Sequence, residues 1–390
     1  MIHRDTYTAV DAHGVVGLWA YPWDIARAGI ANTVERLVRA RVSELSVATL
    51  YHSGQVLSLV GSPRFIGQTE GPLWDFRQPV WHDGDLRIEP EAFYAALKEA
   101  LSREDIRLRG WTIVNHDSPE GPFVENAFGQ HLSHAACPIA GQARIRRLIA
   151  ELAAMGIFDG LDLESFGFTK AFHGAHHEIA GVRITPLLQL LLSWCFCSAC
   201  NSTIGAGIDW DLLRQETQEE IERLLCHEGT GPDDMGELAT YLVDHPGFAE
   251  LIRIRGQALR TSLDDLARAF PTLPMTPLLM PYNQRTKLSW IEGMTADSQQ
   301  RGDVIALGYS TLAAMRNDLN WLVTERGWDP SRVIVGQSLI ANVVSSWDEA
   351  KARVEVALDL GFRRFCFYNY GLLNTTRWQW LENLSSIIRN

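Results

Sequence analysis

Long basic runs are missing from this sequence. Its 390 residues carry 35 Lys and Arg against 47 Asp and Glu, a formal net charge of −12, and no Lys/Arg run exceeds a triplet. Phosphate backbones are bound through a basic footprint that displaces counterions, so a nucleic-acid partner is not expected. The strongest apolar run, ITPLLQLLLSWCFC (184–197), falls short of the roughly 20 residues that a membrane-spanning helix needs. The opening MIHRDTYTAVDAHG lacks the basic stretch and apolar core of a leader, and a soluble, cytoplasmic protein with no membrane partner is the expectation. No G-x-G-x-x-G or P-loop opens a helix after a strand, so no nucleotide signature is present. Cysteine is scarce: six in all, three of them in CFCSAC (195–200). That is too few for a disulfide framework, and the clustering suggests metal ligation or reduced thiols.

What is present is a soluble core. Hydrophobic residues make up 46% of the chain and charged ones 21%, so disorder is not expected of any long segment. Short apolar and aromatic runs recur, each followed by a stretch of helical period, the signature of a parallel sheet with crossover helices. The strands read as VVGLWAY (15–21), ELSVATL (44–50), LRGWTIVNH (108–116), FDGLDLES (158–165), MTPLLMPY (275–282), DVIALGY (303–309), RVIVGQSL (332–339) and RRFCFYNYG (363–371). Eight strands fit an α/β fold of the (β/α)8, or TIM-barrel, type, with residues 1–390 as a single barrel domain. Two connections are long: 51–88, without clear periodicity, and 167–274, an expected inserted loop and helical subdomain with helices near 209–227 and 234–270.

Active sites of such barrels lie at the C-terminal ends of the strands. The candidates there are Trp19 and Asp24 after the first strand, Tyr51 and His52 after the second, and Asn115, His116 and Asp117 after the third. Asp162 and Glu164 lie on the fourth strand; Tyr282 and Asn283 follow the fifth and Tyr309 the sixth. Gln337 lies on the seventh, and Tyr368, Asn369 and Tyr370 on the eighth. A ring of aromatic, amide and carboxylate groups suits a sugar, whose faces pack on rings and whose hydroxyls need polar partners.

FDGLDLESFGF (158–168) places three carboxylates in an apolar run. Side chains alternate along a strand, so Asp162 and Glu164 share one face and Leu161 and Leu163 the other. With the leucines against the helices, both acids point into the barrel. Glu164, nearer the rim, is the better general acid/base. Asp162 sits a layer deeper, either as a second catalytic carboxylate, as a like charge raising the pKa of Glu164, or as a buried acid paired with an Arg or Lys. Asp159 reads as a structural residue at the start of the strand.

DGLDLES resembles the fourth-strand signature of the chitinase-like glycoside hydrolases, D-G-x-D-x-D-x-E, with Asp159, Asp162 and Glu164 at its acidic positions. Phe166 stands where that family has its catalytic Glu, so the resemblance does not carry a chitinase mechanism. Cys137, Glu164 and then C-x-C-x-x-C at Cys195, Cys197 and Cys200 resemble the family 42 β-galactosidases in order. That resemblance implies a structural zinc held by the four cysteines and an acid/base role for Glu164. Four thiolates satisfy a closed tetrahedral site; the alternatives are partly buried free thiols or a histidine in place of Cys137. Gln337 stands where those galactosidases have a nucleophilic Glu, so either Asp162, Asp117, Asp24 or Glu178 is the second catalytic group, or hydrolysis is substrate-assisted, or it is absent. The whole-chain pattern is similar to glycoside-hydrolase-like barrels with HGxHHE and CFCxxC after the fourth strand.

AFHGAHHE supplies His173, His176, His177 and Glu178 just beyond the acids, either contacting sugar hydroxyls or holding a catalytic metal. VDAHGV resembles the V-D-x-H-x-H of amidohydrolase barrels, but Val15 occupies the second histidine's place, and C-x-C-x-x-C is not the spacing of radical enzymes. Three readings follow. The first is a glycoside hydrolase acting on a small glycoside or oligosaccharide, with Glu164 and Asp162 or Asp117 catalytic and Trp19, Asn115, His116, His176, His177, Glu178, Tyr282, Asn283, Gln337, Tyr368 and Asn369 binding substrate. The second is a metal-dependent hydrolase or lyase using the His173–Glu178 loop. The third is a carbohydrate-binding barrel without turnover. The partner expected is a small carbohydrate, and a homo-oligomer is compatible with all three.

Overall fold

Eight apolar runs become eight parallel strands: β1 (Val15–Ala20), β2 (Glu44–Tyr51), β3 (Arg107–Ile113), β4 (Gly160–Glu164), β5 (Met275–Leu279), β6 (Val304–Leu307), β7 (Val333–Ser338) and β8 (Arg364–Tyr368). The computed structural model describes residues 14–68, 71–116, 120–172, 180–226, 234–279, 292–294 and 302–390. Each strand pairs with the next, and β8 returns to β1 through Val15↔Arg364 to Leu18↔Phe367, so the sheet closes. The fold is a (β/α)8 barrel, as the alternation of strands and helices indicates. Both faces of each strand are covered, which is why these runs are almost continuously apolar.

Twelve helices lie among the described residues. After β1 come α1 (Pro22–Ala28) and α2 (Ile30–Arg39), then α3 (Pro90–Ser102) before β3 and α4 (Gln142–Ala154) before β4. Between β4 and β5 run α5 (Pro186–Leu192), α6 (Ser198–Ile204), α7 (Trp210–Cys226), α8 (Asp234–Asp244) and α9 (Pro246–Ala269). The ring is completed by α10 (Leu312–Thr324), α11 (Trp347–Asp359) and α12 (Thr375–Arg389). Hydroxyl and amide caps set the starts of these last three, with Thr311, Ser346 and Asn374 each accepting from the backbone N–H three residues on.

The two long connections resolve into short pieces. The segment after β2 holds the hairpin of Gly54–Ser58 with Arg64–Gln68, a second of Trp81–Asp83 with Leu86–Ile88, and Trp74–Asp75, which adds antiparallel to β2. Strands of two to five residues are too short to show a period in sequence. The single helix expected over 234–270 is two, broken at His245 before Pro246, because proline has no N–H to continue the ladder. Leu161 and Leu163 are buried against the outer layer and Asp162 and Glu164 face inward, as the alternation requires. Among the described residues no helix is long and apolar enough to cross a membrane.

Candidate active site

Glu164 ends β4 at the C-terminal rim, with Ile113 of β3 as its lateral neighbour. The Trp111 indole Nε1 donates to Glu164 Oε2 at 2.7 Å. Burial raises the Glu164 carboxyl above its ordinary range, while the Trp111 hydrogen bond and the nearby His52 ring pull it down. A carboxyl held between those influences serves as donor or acceptor of a proton.

An aromatic wall surrounds it. Trp111 lies 5.0 Å from Tyr51, 5.5 Å from Tyr21, 5.9 Å from Tyr368 and 6.4 Å from Trp19, centroid to centroid. The Tyr21 hydroxyl is hydrogen-bonded to those of Tyr51 at 2.9 Å and Tyr368 at 2.6 Å. Burial pushes all three phenols above their ordinary range, and for Tyr51 and Tyr368 the Glu164 charge adds to the rise. These hydroxyls therefore stay protonated, a connected set of donors beside the acid. Trp19 is buried behind Tyr368 with its Nε1 lacking a hydrogen-bond partner among the described residues. Gly336 makes room for it, since a Cβ there would lie 3.2 Å from Trp19 Cη2.

Histidines form the other side of the mouth. His52 stacks on Tyr51 at 4.5 Å and lies 4.8 Å from His116, which in turn lies 6.4 Å from His134. His52 Nδ1 is 2.5 Å from the Ser53 carbonyl. A carbonyl only accepts, so Nδ1 carries the proton and Nε2 is the basic nitrogen of the neutral ring.

The deeper acid is already engaged. Asp162 Oδ1 is bound by Arg109 at 2.7 Å and Oδ2 accepts from Ser46 Oγ at 2.6 Å, while Arg109 also reaches Thr276 Oγ1 at 2.8 Å. Both partners of the ion pair are buried. Of the roles open to Asp162, the buried pair is the one the geometry fits, one layer beneath Glu164.

Several other expected contacts turn away from the mouth. Asn115 is fully buried, its Nδ2 donating to the Phe166 carbonyl at 2.6 Å and its Oδ1 accepting from Arg144 at 2.5 Å. It ties the ends of β3 and β4 to α4 instead of meeting a ligand. Gln337 points outward, its Nε2 3.0 Å from Met315 Sδ of α10; the inward position beside it is Gly336. Asn369, also buried, spends its Oδ1 on the Gly371 N–H at 3.1 Å, and the Tyr368–Asn369 peptide before it is cis. Tyr370 reaches back to Thr33 Oγ1 at 3.1 Å. Trp19, Glu164, His116 and Tyr368 do come together; Asp117, His173, His176, His177, Glu178, Tyr282 and Asn283 lie outside the described residues.

Asp24 is a second perturbed acid. Ser58 Oγ donates to its Oδ1 at 2.5 Å, while Oδ2 has no hydrogen-bond partner among the described residues. Burial raises its pKa to about 7 against the lowering effects of Ser58 and Arg27. It is packed so tightly on the chain after β8 that a Cβ on Gly371 would fall 1.7 Å from Oδ2. Asp24 is thus sealed below the surface, not presented at the mouth.

The four expected cysteines gather. Cys137, Cys195, Cys197 and Cys200 place their sulfurs within 4.8 Å of one another. Cys137 Sγ is 3.8 Å from Cys197 Sγ and 3.6 Å from Cys200 Sγ. A tetrahedral centre with Zn–S bonds of about 2.3 Å has S···S edges of about 3.8 Å, so the donor set fits a divalent ion. The Ala140 N–H lies 3.4 Å from Cys137 Sγ, a contact that favours a thiolate. Hydrogen bonds from the other three thiols, Cys137 foremost, hold Cys197 well below the ordinary thiol range. The four cysteines can bind a metal.

Neither a family model nor a curated protein matches the sequence. Solved structures do. The catalytic domain of a beta-amylase from Paenibacillus polymyxa superposes with a TM-score of 0.56 at 9% identity, covering 98% of this chain and 100% of that one. The likeness is one of fold. A beta-galactosidase from the Antarctic haloarchaeon Halorubrum lacusprofundi gives 0.55 at 10% identity over 96% of this chain and 58% of that one. For a beta-galactosidase from Bacillus circulans sp. alkalophilus the values are 0.53, 12%, 96% and 56%. The chain spans rather more than half the length of each galactosidase.

Trp111, Tyr21 and Arg109 are the site residues that a reading of the sequence passed over. For Arg109 and Trp111 the signal was the same alternation that located the acids, since Arg109, Trp111 and Ile113 share the inward face of β3; Tyr21 lies two residues after Trp19, just past the end of β1.

Proposed function

We propose that the chain is a glycoside hydrolase acting on a small glycoside or oligosaccharide, with Glu164 as general acid/base. The observation that carries this is the placement of Glu164 at the strand-end rim, hydrogen-bonded by Trp111 within a wall of tryptophans and tyrosines. Proton transfer to the departing glycosidic oxygen calls for a carboxylic acid with a raised pKa, and burial pushes Glu164 in that direction. The partly exposed rings of Tyr51 and Tyr368 suit the apolar faces of a pyranose. The beta-amylase and the beta-galactosidases that share the fold make carbohydrates the substrate class to try first. The four cysteines are read as ligands of a structural zinc, a closed site with no open position for substrate, whose part is to fix the connection between β4 and β5.

The test is a panel of aryl glycosides and short oligosaccharides against wild type and Glu164→Gln. Loss of about 100-fold or more in kcat/KM is expected; an unchanged rate on every substrate that wild type cleaves would refute the assignment. A second reading, sugar binding without turnover, is favoured by one observation: Asp162 is paired and Asp24 sealed, so neither supplies the partner carboxylate. It predicts that wild type binds glycosides and cleaves none.

A further inference from the structure

Arg255 is a buried cation without a hydrogen-bonding partner among the described residues. It lies midway along α9, 2% exposed, with its guanidinium carbon 3.5 Å from the Phe168 ring centroid and 4.8 Å from that of Trp194. Nε, Nη1 and Nη2 all lack a hydrogen-bond acceptor among the described residues. Ring faces solvate a guanidinium only in part, and a desolvated charge with five unanswered donors is costly unless something nearby offsets it. The carboxylate within electrostatic reach, Glu292, is itself held by Lys170 at 2.9 Å. The cysteine cluster is adjacent: Trp194, under the guanidinium, precedes Cys195 in the chain, and α6, which carries Cys200, packs against α9.

With the cysteines as neutral thiols, the guanidinium has no counter-charge in that cluster. Binding of a divalent ion changes the sum: four thiols release four protons, and four thiolates around one dication leave a centre of charge −2. That charge is costly to bury for the same reason that Arg255 is. Placed together, the two offset each other.

We propose that Arg255 is the built-in counter-ion of a metal–tetrathiolate centre formed by Cys137, Cys195, Cys197 and Cys200. The proposal rests on the metal-binding reading of those cysteines given above and extends it to a residue outside the ligand set. It accounts for the one charged side chain among the buried residues of α9. It also ties the centre to the site, since the ring that Arg255 stacks on, Phe168, follows Glu164 by four residues and its N–H is bound by the Glu292 carbonyl at 2.9 Å.

The experiment measures metal, not turnover. Zinc content of purified wild type, Arg255→Met and Arg255→Lys is determined, with zinc affinity by chelator competition and cobalt substitution read by its thiolate charge-transfer bands. One equivalent is expected in wild type. Arg255→Met, which keeps the stem and loses the charge, should bind zinc at least tenfold more weakly, and Arg255→Lys should recover most of the loss. Where Arg255→Met does not fold, Arg255→Gln against Arg255→Lys gives the same comparison. Wild-type affinity in the neutral variants overturns the counter-ion role, as does an equal loss in Arg255→Lys, which would assign the effect to stacking. A wild type that takes up neither zinc nor cobalt overturns the metal reading itself.

Discussion

The Trp111 indole N–H points at Glu164 from the adjacent strand, 2.7 Å from Oε2. The bond stabilises the carboxylate and so holds down a pKa that burial raises. Removing it with Trp111→Phe should raise the Glu164 pKa, since a hydrogen bond to a charged group contributes about 1.5–3 kcal/mol. If Glu164 acts as the general acid, the alkaline limb of the kcat/KM profile moves to higher pH by about one unit. A profile with an unmoved limb would assign that limb to another group.

Arg109 and Asp162 form an ion pair buried deep in the barrel, the guanidinium 2.7 Å from Oδ1. Removing one strands the other, so Arg109→Met or Asp162→Leu alone should cost about 3–5 kcal/mol of stability. The double variant should be less destabilised than the sum of the two singles, because no charge is left unpaired. Chemical denaturation of the four proteins closes the cycle, and additive losses would mean that the pair is not coupled.

Asp24 makes stability depend on pH. Its pKa is about 7 in the folded protein against 3.8 ordinarily, so the folded state binds the proton more tightly. That contribution is complete below about pH 4, fades as pH rises and is gone above about pH 7, on the order of 4 kcal/mol in total. Asp24→Asn imitates the neutral acid and can still accept from Ser58. Its advantage over wild type in unfolding free energy should grow from near zero at pH 4 to its full size at pH 8. A constant difference across that range would contradict the burial of an ionisable Asp24.

Removal of metal should be felt as loss of structure. Cys200→Ser, or prolonged exposure to a strong chelator, should abolish the bound equivalent and lower the thermal midpoint, since a closed thiolate site contributes folding energy directly. Calorimetry with and without added zinc reads this. An identical midpoint in both conditions would mean that the cysteines pack as thiols.

The barrel was legible because its strands are buried on both faces and stand out as apolar runs, and the inward turn of Asp162 and Glu164 followed from Leu161 and Leu163 alone. Partners were not legible. Arg109 lies 53 residues from Asp162, and alternation gives a face without saying what meets it. β7 was less legible: VIVGQS is buried throughout, so burial does not tell its two faces apart, and Gln337, expected in the mouth, lies against Met315 of α10. Asn115 lies just past the end of β3, where strand alternation no longer constrains direction.

The crowding of Trp19, Trp111, Tyr21, Tyr51 and Tyr368 around one carboxyl has an optical consequence. Neutral and ionised carboxyls quench indole emission differently, and a ligand laid against Tyr51 and Tyr368 changes the polarity that the excited state of the neighbouring Trp111 meets. Trp111 emission should therefore report the protonation of Glu164 and, if the proposed function holds, the arrival of an unlabelled sugar. The other tryptophans of the thirteen contribute background, and the difference between wild type and Trp111→Phe isolates the reporting one.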